Sequence, residues 1–337
     1  MSRILVTGGT GYIGSHVAVL LAKTNHEVVL YDNLSNSSNS VVAKLGQING
    51  KPMAFVNGDV RDAELLTKTM VDHRIEAVIH FAGLKAVGES VDKPIDYYAN
   101  NVQGTISLLQ AMQVTDVKTL LFSSSATVYG DPSYLPLDEK HPTGATNPYG
   151  RTKLHIEEML KDVAASNSEW RIGNLRYFNP VGAHESGIIG ENPNGVPNNL
   201  MPYIAQVASG QRAELMIFGD DYPTVDGTGV RDYIHVMDLA EGHVATLNFL
   251  SNNKGWHAIN LGTGTGYSVL EMVRAFEKAS GHQIPYKIVA RRAGDIAACY
   301  TDPKRALELL KWSANRTLED MCRSVWHFQQ SQASSNS

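Results

Sequence analysis

The chain has 337 residues, 43% of them hydrophobic and 19% charged, and a formal net charge of −5. This is enough apolar material for two packed regions and a large core, with no general basic footprint for nucleic acid. No apolar run approaches the ~18 residues of a membrane span and no charged-then-apolar leader opens the chain, so no membrane partner is expected and the reading places the protein in the cytoplasm. Two cysteines, Cys299 and Cys322, are too few for a disulfide scaffold. The histidines are scattered without metal-ligand spacing, so no metal is expected.

Ile4-Leu5-Val6-Thr7 is a short apolar run that reads as a buried strand. Gly8-Gly9-Thr10-Gly11-Tyr12-Ile13-Gly14 follows at once, and residues 15–23 read as a helix. Strand, glycine turn and helix is the context of a dinucleotide site. Gly8 allows the tight turn, Gly11 the approach of a diphosphate, and Gly14 close packing of helix on strand. The diphosphate then meets a helix N-terminus, whose amides are unpaired and whose dipole favours an anion. The next strand, Glu27-Val28-Val29-Leu30-Tyr31, ends at Asp32. A carboxylate there accepts from ribose hydroxyls and repels a 2′-phosphate, so NAD is expected rather than NADP. Asp59, after the strand Ala54-Phe55-Val56, is placed either to meet the adenine or to cap the helix that starts near Arg61.

Further strands are expected at 77–80, 119–122 and 171–176, with helices near 62–73, 101–113 and 149–165. This alternation predicts a Rossmann-type doubly wound parallel sheet with helices on both faces. Ser123, Ser124 and Ser125 fall at the carboxyl end of a strand, where such sheets bind ligands. Asn147-Pro148 reads as an N-cap and first helical residue. Tyr149 and Lys153 then lie at i and i+4 on one helix face. A free tyrosine, with a pKa of about 10, is a poor base at neutral pH. A nearby ammonium and an oxidised nicotinamide ring would both lower it. A serine hydroxyl beside them can share the substrate proton. Glycine turn, serines and Tyr/Lys pair in that order point to hydride transfer at an alcohol carbon.

After residue 176 the texture changes. Residues 179–200 are rich in Pro, Asn and Gly and read as a long ordered loop. Residues 201–328 mix short strands with helices near 201–209, 236–250, 268–280 and 303–311, while Gln329–Ser337 reads as a frayed tail. The expected division is a dinucleotide-binding domain over 1–178 and a smaller mixed α/β substrate domain over 179–337, with some later segments returning to the first sheet.

Long specific runs extend this reading: His80–Ser90, Arg176–Ala183 and Gly229–Val236. With the motifs above, they resemble the UDP-hexose 4-epimerases of the extended short-chain dehydrogenase/reductase family over nearly the whole chain, from Val6 to Trp312. The resemblance implies Tyr149, Lys153 and Ser125 as catalytic residues. It implies NAD contacts at Gly8, Gly11, Tyr12, Ile13, Gly14, Asp32, Asn33, Asn36, Ser37, Asp59, Val60, Phe81, Ala82, Lys85, Asn100, Ser123, Tyr149, Lys153 and Tyr177. Substrate contacts are implied at Lys85, Ser125, Tyr149, Phe178, Asn179, Asn199, Leu200, Phe218, Arg231, Tyr233, Arg292, Asp295 and Cys299. Two arginines suit a diphosphate. The implied reaction takes hydride from C4 of the sugar to a retained NAD, turns the 4-ketosugar, and returns hydride to its other face. A homodimer is implied through the segments near 92–113 and 149–165. The related 4,6-dehydratases carry an Asp-Glu pair after the serine motif; Ala126 and Thr127 stand there instead, which disfavours elimination. A non-catalytic NAD sensor could dispense with Tyr149 and Lys153, and both are present. Cys299 is small where epimerases restricted to plain hexoses often carry tyrosine. This predicts turnover of UDP-N-acetylglucosamine and UDP-N-acetylgalactosamine beside UDP-glucose and UDP-galactose, unless Tyr300 closes the pocket instead.

Overall fold

The computed structural model describes residues 1–335 except Asn194 and Ala293. The first half alternates strand and helix: β1 (Arg3–Thr7), α1 (Tyr12–Lys23), β2 (Glu27–Asp32), α2 (Ser40–Asn49), β3 (Ala54–Asn57), α3 (Ala63–Asp72) and β4 (Ala77–His80). Two short helices follow, α4 (Val87–Asp92) and α5 (Pro94–Tyr97). A single π turn at Tyr98–Val102 then leads into α6 (Gln103–Val114), β5 (Thr119–Ser125), α7 (Pro148–Ser166) and β6 (Arg171–Tyr177). The second half holds β7 (Asn179–Val181), α8 (Leu200–Ala208), β8 (Leu215–Phe218), β9 (Val230–His235), α9 (Val236–Asn252), β10 (Gly255–Leu261), β11 (Gly266–Ser268) and α10 (Val269–Ser280). It ends with β12 (Tyr286–Val289), β13 (Ala298–Cys299), α11 (Lys304–Leu310) and α12 (Leu318–Ser335).

Seven parallel strands form the main sheet in the order β10-β6-β5-β4-β1-β2-β3. β10 comes from the second half, so the chain returns to its first sheet. Side-chain alternation along the strands divides the core between two faces. Ile4, Val6, Leu30, Ile79 and Leu121 pack on one face with Val17 and Leu21 of α1 and Leu239 and Leu247 of α9. Leu5, Val29, Val78, Leu120 and Phe122 pack on the other with Met70 of α3, Met112 of α6 and Ile156 and Leu160 of α7. The strand order reverses between β1 and β4, which opens the ligand crevice at the carboxyl ends.

A smaller group of strands, β11-β9-β13 with β7 beside β9, and the pair β12-β8 stand with α8, α10 and α12 around a third core. The tail differs from the sequence expectation: α12 continues helical to Ser335. Met321, Cys322, Val325 and Phe328 recur at helical spacing and are buried. Each large apolar side chain so buried contributes roughly 1.5–3 kcal/mol, which offsets the weak helix preference of the Gln/Ser-rich end. Both cysteines are free and buried. Among the described residues no helix is long and apolar enough to cross a membrane.

Candidate active site

The glycine turn leaves β1 with Gly8 at φ +67°, where a Cβ would meet the backbone nitrogen of Ala82 at 2.7 Å. Only glycine fits such a position without strain. A Cβ on Gly14 would meet the carbonyl of Gly8 at 2.2 Å, so this glycine lets α1 close on the turn. Gly11 caps α1 without any side-chain acceptor, which leaves the helix N-terminus bare. Asp32 ends β2 beside this turn and accepts from the Thr10 amide at 3.1 Å and the Leu34 amide at 2.9 Å. Ser37 joins it through Thr10, hydroxyl to hydroxyl at 2.6 Å. Ile13 packs on the core, and Asn36 is exposed.

At the end of β3, Asp59 takes Arg61 in a two-pronged pair and Asn33 at 3.1 Å. These donors, Arg61 first, hold its carboxyl well below the usual range. The helix cap belongs to Asp62, which accepts from the Leu65 amide at 2.9 Å; Asp59 is therefore not the cap of α3. Val60 is buried beneath it and Asn100 sits in the π turn. Tyr12 reaches from α1 into the second half and donates its hydroxyl to the Gly182 carbonyl at 2.7 Å. Lys85 pairs with Glu191 at 3.3 Å, and Glu191 also accepts from Asn199 at 2.6 Å. One carboxylate thus joins a residue expected at the cofactor to one expected at the substrate.

The reaction centre is built where α7 crosses the end of β5. Asn147 caps α7 through its side chain, accepting from the Gly150 amide at 2.8 Å, with Pro148 first in the helix. Lys153 is buried one turn after Tyr149 and donates to the Ser123 carbonyl at 2.6 Å. Its ammonium lies 5.9 Å from the Tyr149 ring centre and 4.8 Å from that of Phe122. Burial lowers Lys153 to about 8, while the charge of Glu157 opposes that change. Tyr149 responds to burial in the other sense. Burial pushes the phenol up to about 12, and a hydrogen bond with Ser125 pulls the other way. The enclosed side chain loses hydration before any cation compensates it. Ser125 itself accepts from the amide and hydroxyl of Thr127 at 3.2 and 3.0 Å. Tyr177 stands opposite Ser125 in the β5–β6 register.

Phe178 and Cys299 share a small buried cluster with Val128, Tyr129 and Leu137, edged by Ala126 and Ile296. The ring of Tyr300 instead lies against Gly266, 3.3 Å from its Cβ position. Cys299 thus faces the cluster, while Tyr300, just past β13, packs on Gly266. Arg231 bolts the loop before β13 to β9: one guanidinium nitrogen donates to the Val230 carbonyl at 2.8 Å and the Ile296 carbonyl at 3.0 Å. Arg292 and Asp295 form an ion pair at 2.9 Å. The Arg292 guanidinium also covers the face of Phe218 at 5.4 Å. Leu200 opens α8 and Asn179 opens β7, in register with Tyr233. Tyr233 is buried in the third core.

A scan against protein families matches residues 4–262 to the NAD dependent epimerase/dehydratase family. The chain belongs to that family. Among curated relatives, the UDP-glucose 4-epimerase of Bacillus subtilis (strain 168) is 57% identical over 328 residues, 97% of each chain. Among solved structures, UDP-glucose-4-epimerase from Stenotrophomonas maltophila, with bound NAD and formylated UDP-arabinopyranose, superposes with a TM-score of 0.98 at 52% identity. That match covers 99% of this chain and 100% of the other. The Bifidobacterium longum enzyme in complex with NAD+ and UDP gives 0.96 at 52% identity, covering 98% and 99%.

This member of the epimerase/dehydratase family also uses residues that the sequence reading missed. Glu157, one turn past Lys153, takes Arg176 at 2.6 Å and the hydroxyl of Ser124. Arg176 continues to Tyr129 at 3.0 Å and Tyr129 to Asn260 at 2.6 Å. Asn101 ties Leu84 to Thr152 of α7, donating at 3.0 Å to both. Glu157 had a visible signal, the i+4 step from Lys153; the others meet their partners only in space. Asp232, inside the Gly229–Val236 run, is buried and organises backbone: it accepts from Thr263 and Gly264 amides, each at 2.9 Å.

Proposed function

We propose that the chain is a 4-epimerase of UDP-hexoses that retains NAD through turnover, with Tyr149 as the proton carrier. The observation that carries the reading is α7 laying Tyr149 and Lys153 on the serine end of β5, at the crevice end of the sheet. The glycine turn fits NAD: its inner positions exclude any Cβ, and the bare N-terminus of α1 suits a diphosphate. Asp32 takes the adenosine ribose. When bound, NAD supplies the hydride acceptor at C4 and a cationic ring beside the phenol.

Lys153 holds the ammonium that supports phenolate at Tyr149, and Ser125 shares the C4 hydroxyl proton. Tyr149 removes that proton and returns it after the 4-ketosugar has turned. Residues 179–337 supply the nucleotide cradle, with Arg231 and Arg292 for the diphosphate and Asp295 for a ribose diol. Anchoring energy sits on the nucleotide, so the sugar stays free to rotate. Cys299 leaves room at the sugar for an acetamido group, so the N-acetylhexosamine pair is turned over as well. That breadth serves both galactose metabolism and surface-polysaccharide synthesis. A second copy covers the face carrying the segments near 92–113 and 149–165, where Ile95 is 81% exposed. Protein purified without added cofactor should release near-stoichiometric NAD(H) on acid extraction. It should also interconvert UDP-galactose and UDP-glucose, and likewise the N-acetylated pair. Apo protein that works only with NADP, or inertness toward both pairs, would overturn the reading.

A further inference from the structure

His243 lies on α9, fully buried, and reaches the main sheet from the face opposite Lys153. Its Nδ1 is 2.8 Å from the Leu239 carbonyl oxygen. A carbonyl only accepts, so Nδ1 carries the hydrogen and Nε2 presents a lone pair. The Tyr177 hydroxyl sits on that Nε2 and is therefore the donor. Burial lowers His243 to about 4, which keeps the ring neutral in this arrangement. The same imidazole lies against two aromatic rings, Phe81 at 5.0 Å and Tyr177 at 5.2 Å. Phe81 follows β4 and Tyr177 ends β6, the strands on either side of β5. Lys153 grips the end of β5 from one face of the sheet; His243 grips its two neighbours from the other.

We propose that His243 is a positioning residue for the cofactor pocket. As the Nδ1–H tautomer it engages the hydroxyl proton of Tyr177 and locks the Tyr177 and Phe81 rings as one rigid wall. This rests on the reading above that Phe81 and Tyr177 line the nicotinamide site. The lock has a chemical reason. Burial holds the Tyr177 phenol protonated, the charge of Tyr149 acts the same way, and a hydrogen bond with Ser123 opposes both. A Tyr177 hydroxyl free to rotate would be a second proton donor beside the intended one. Engaged by His243, it stays protonated and out of the exchange, and Tyr149 alone trades protons with the sugar.

The test compares wild-type holoenzyme with His243→Leu, His243→Gln, Tyr177→Phe and the double variant His243→Leu/Tyr177→Phe. Three quantities are read: kcat and KM for UDP-galactose, the NAD(H) released per chain, and the fluorescence of the bound cofactor after borohydride reduction. His243→Leu should lower kcat about tenfold through misplacement of the pocket wall, with KM held within about twofold. The reduced-cofactor emission should shift and weaken. His243→Gln offers an amide oxygen to Tyr177 and should recover most of both signals. The double variant should lose little beyond Tyr177→Phe alone, because no hydroxyl is then left without its partner. If His243→Leu fails to fold, Tyr177→Phe carries the test, and it must shift the emission by itself. The proposal fails if the variants leave kcat and emission at wild-type values. It also fails if the two single losses multiply in the double variant without rescue by glutamine. Cofactor content and emission need no UDP-sugar, so a protein that binds NAD yet turns over no UDP-hexose would fail the functional reading while leaving this test intact.

Discussion

The proposed reaction centre and the proposed nucleotide cradle stand on different kinds of structure. Lys153, Ser123 and Tyr177 are all buried, and they sit on α7, β5 and β6, elements held by two large apolar cores. The cradle stands on short strands and loops. There Phe218 is 43% exposed, and Arg292 stands exposed beside a half-buried Asp295. Burial raises the electrostatic stakes at the centre, because every charge there has lost its hydration. At the cradle, a surface pair such as Arg292 with Asp295 costs the fold little when changed. The proposed chemistry thus rests on buried structure, and part of the proposed recognition on exposed structure.

Changes at the centre should be the most damaging. Tyr149→Phe keeps the ring and removes the proton carrier, so kcat should fall by 10²–10⁴-fold with bound NAD retained. Retention of more than about a tenth of the wild-type rate would remove Tyr149 from its role.

Lys153→Ala should cost on the order of 10² in kcat and move the pH optimum upward. The sign follows from burial, which lowers the ammonium to about 8. Below that pH the charge is present to support the phenolate, and above it the charge and the rate are lost together. Without Lys153 the rate should instead keep rising with pH toward the ionisation of Tyr149. For stability the sign is reversed. The unfolded lysine binds its proton more tightly than the folded one, so the wild-type fold should gain stability as pH rises through about 8 toward the ordinary lysine range. A wild-type rate that stays flat from neutral pH to well above this point would break the link.

At the cradle the loss should appear in binding. Arg292→Ala removes charge-assisted contacts worth roughly 1.5–3 kcal/mol, so KM for UDP-galactose should rise about 10–100-fold with kcat nearly unchanged. An exposed ion pair contributes about 0–1 kcal/mol to the fold, so melting should scarcely move. A fall in kcat instead would place Arg292 in the chemistry. The smallest and most selective effect should come from Cys299→Tyr. The bulkier side chain overpacks the buried cluster around Cys299 by roughly 1–3 kcal/mol, which melting should register, and it takes the space the acetamido group would fill. N-acetylated sugars should therefore lose about 10–100-fold while UDP-galactose stays near wild type.

The same division governs what the sequence made legible. The glycine turn, Asp32, the Asn147 cap and the Tyr149/Lys153 step are all local patterns, and each appears where its residues predict. The main sheet follows from its alternating apolar runs. α12 escaped because its Gln/Ser-rich end outweighed the buried residues Met321, Cys322, Val325 and Phe328 in the reading. His243 with Tyr177, Arg176 with Tyr129, and Glu191 with Lys85 and Asn199 bridge elements distant in sequence. Such pairs leave no periodic trace. How far burial opposes ionisation of Tyr149 also needed structure, since it depends on how much water is removed.

The most direct test of hydride transfer to and from a retained cofactor is the fate of the C4 hydrogen. UDP-galactose carrying deuterium at C4 is incubated with the purified protein without added NAD, and the product is read by mass spectrometry and NMR. The account predicts UDP-glucose with the deuterium still at C4 and no incorporation from solvent. Washout of the label into water, or a 4-keto-6-deoxy product, would contradict it.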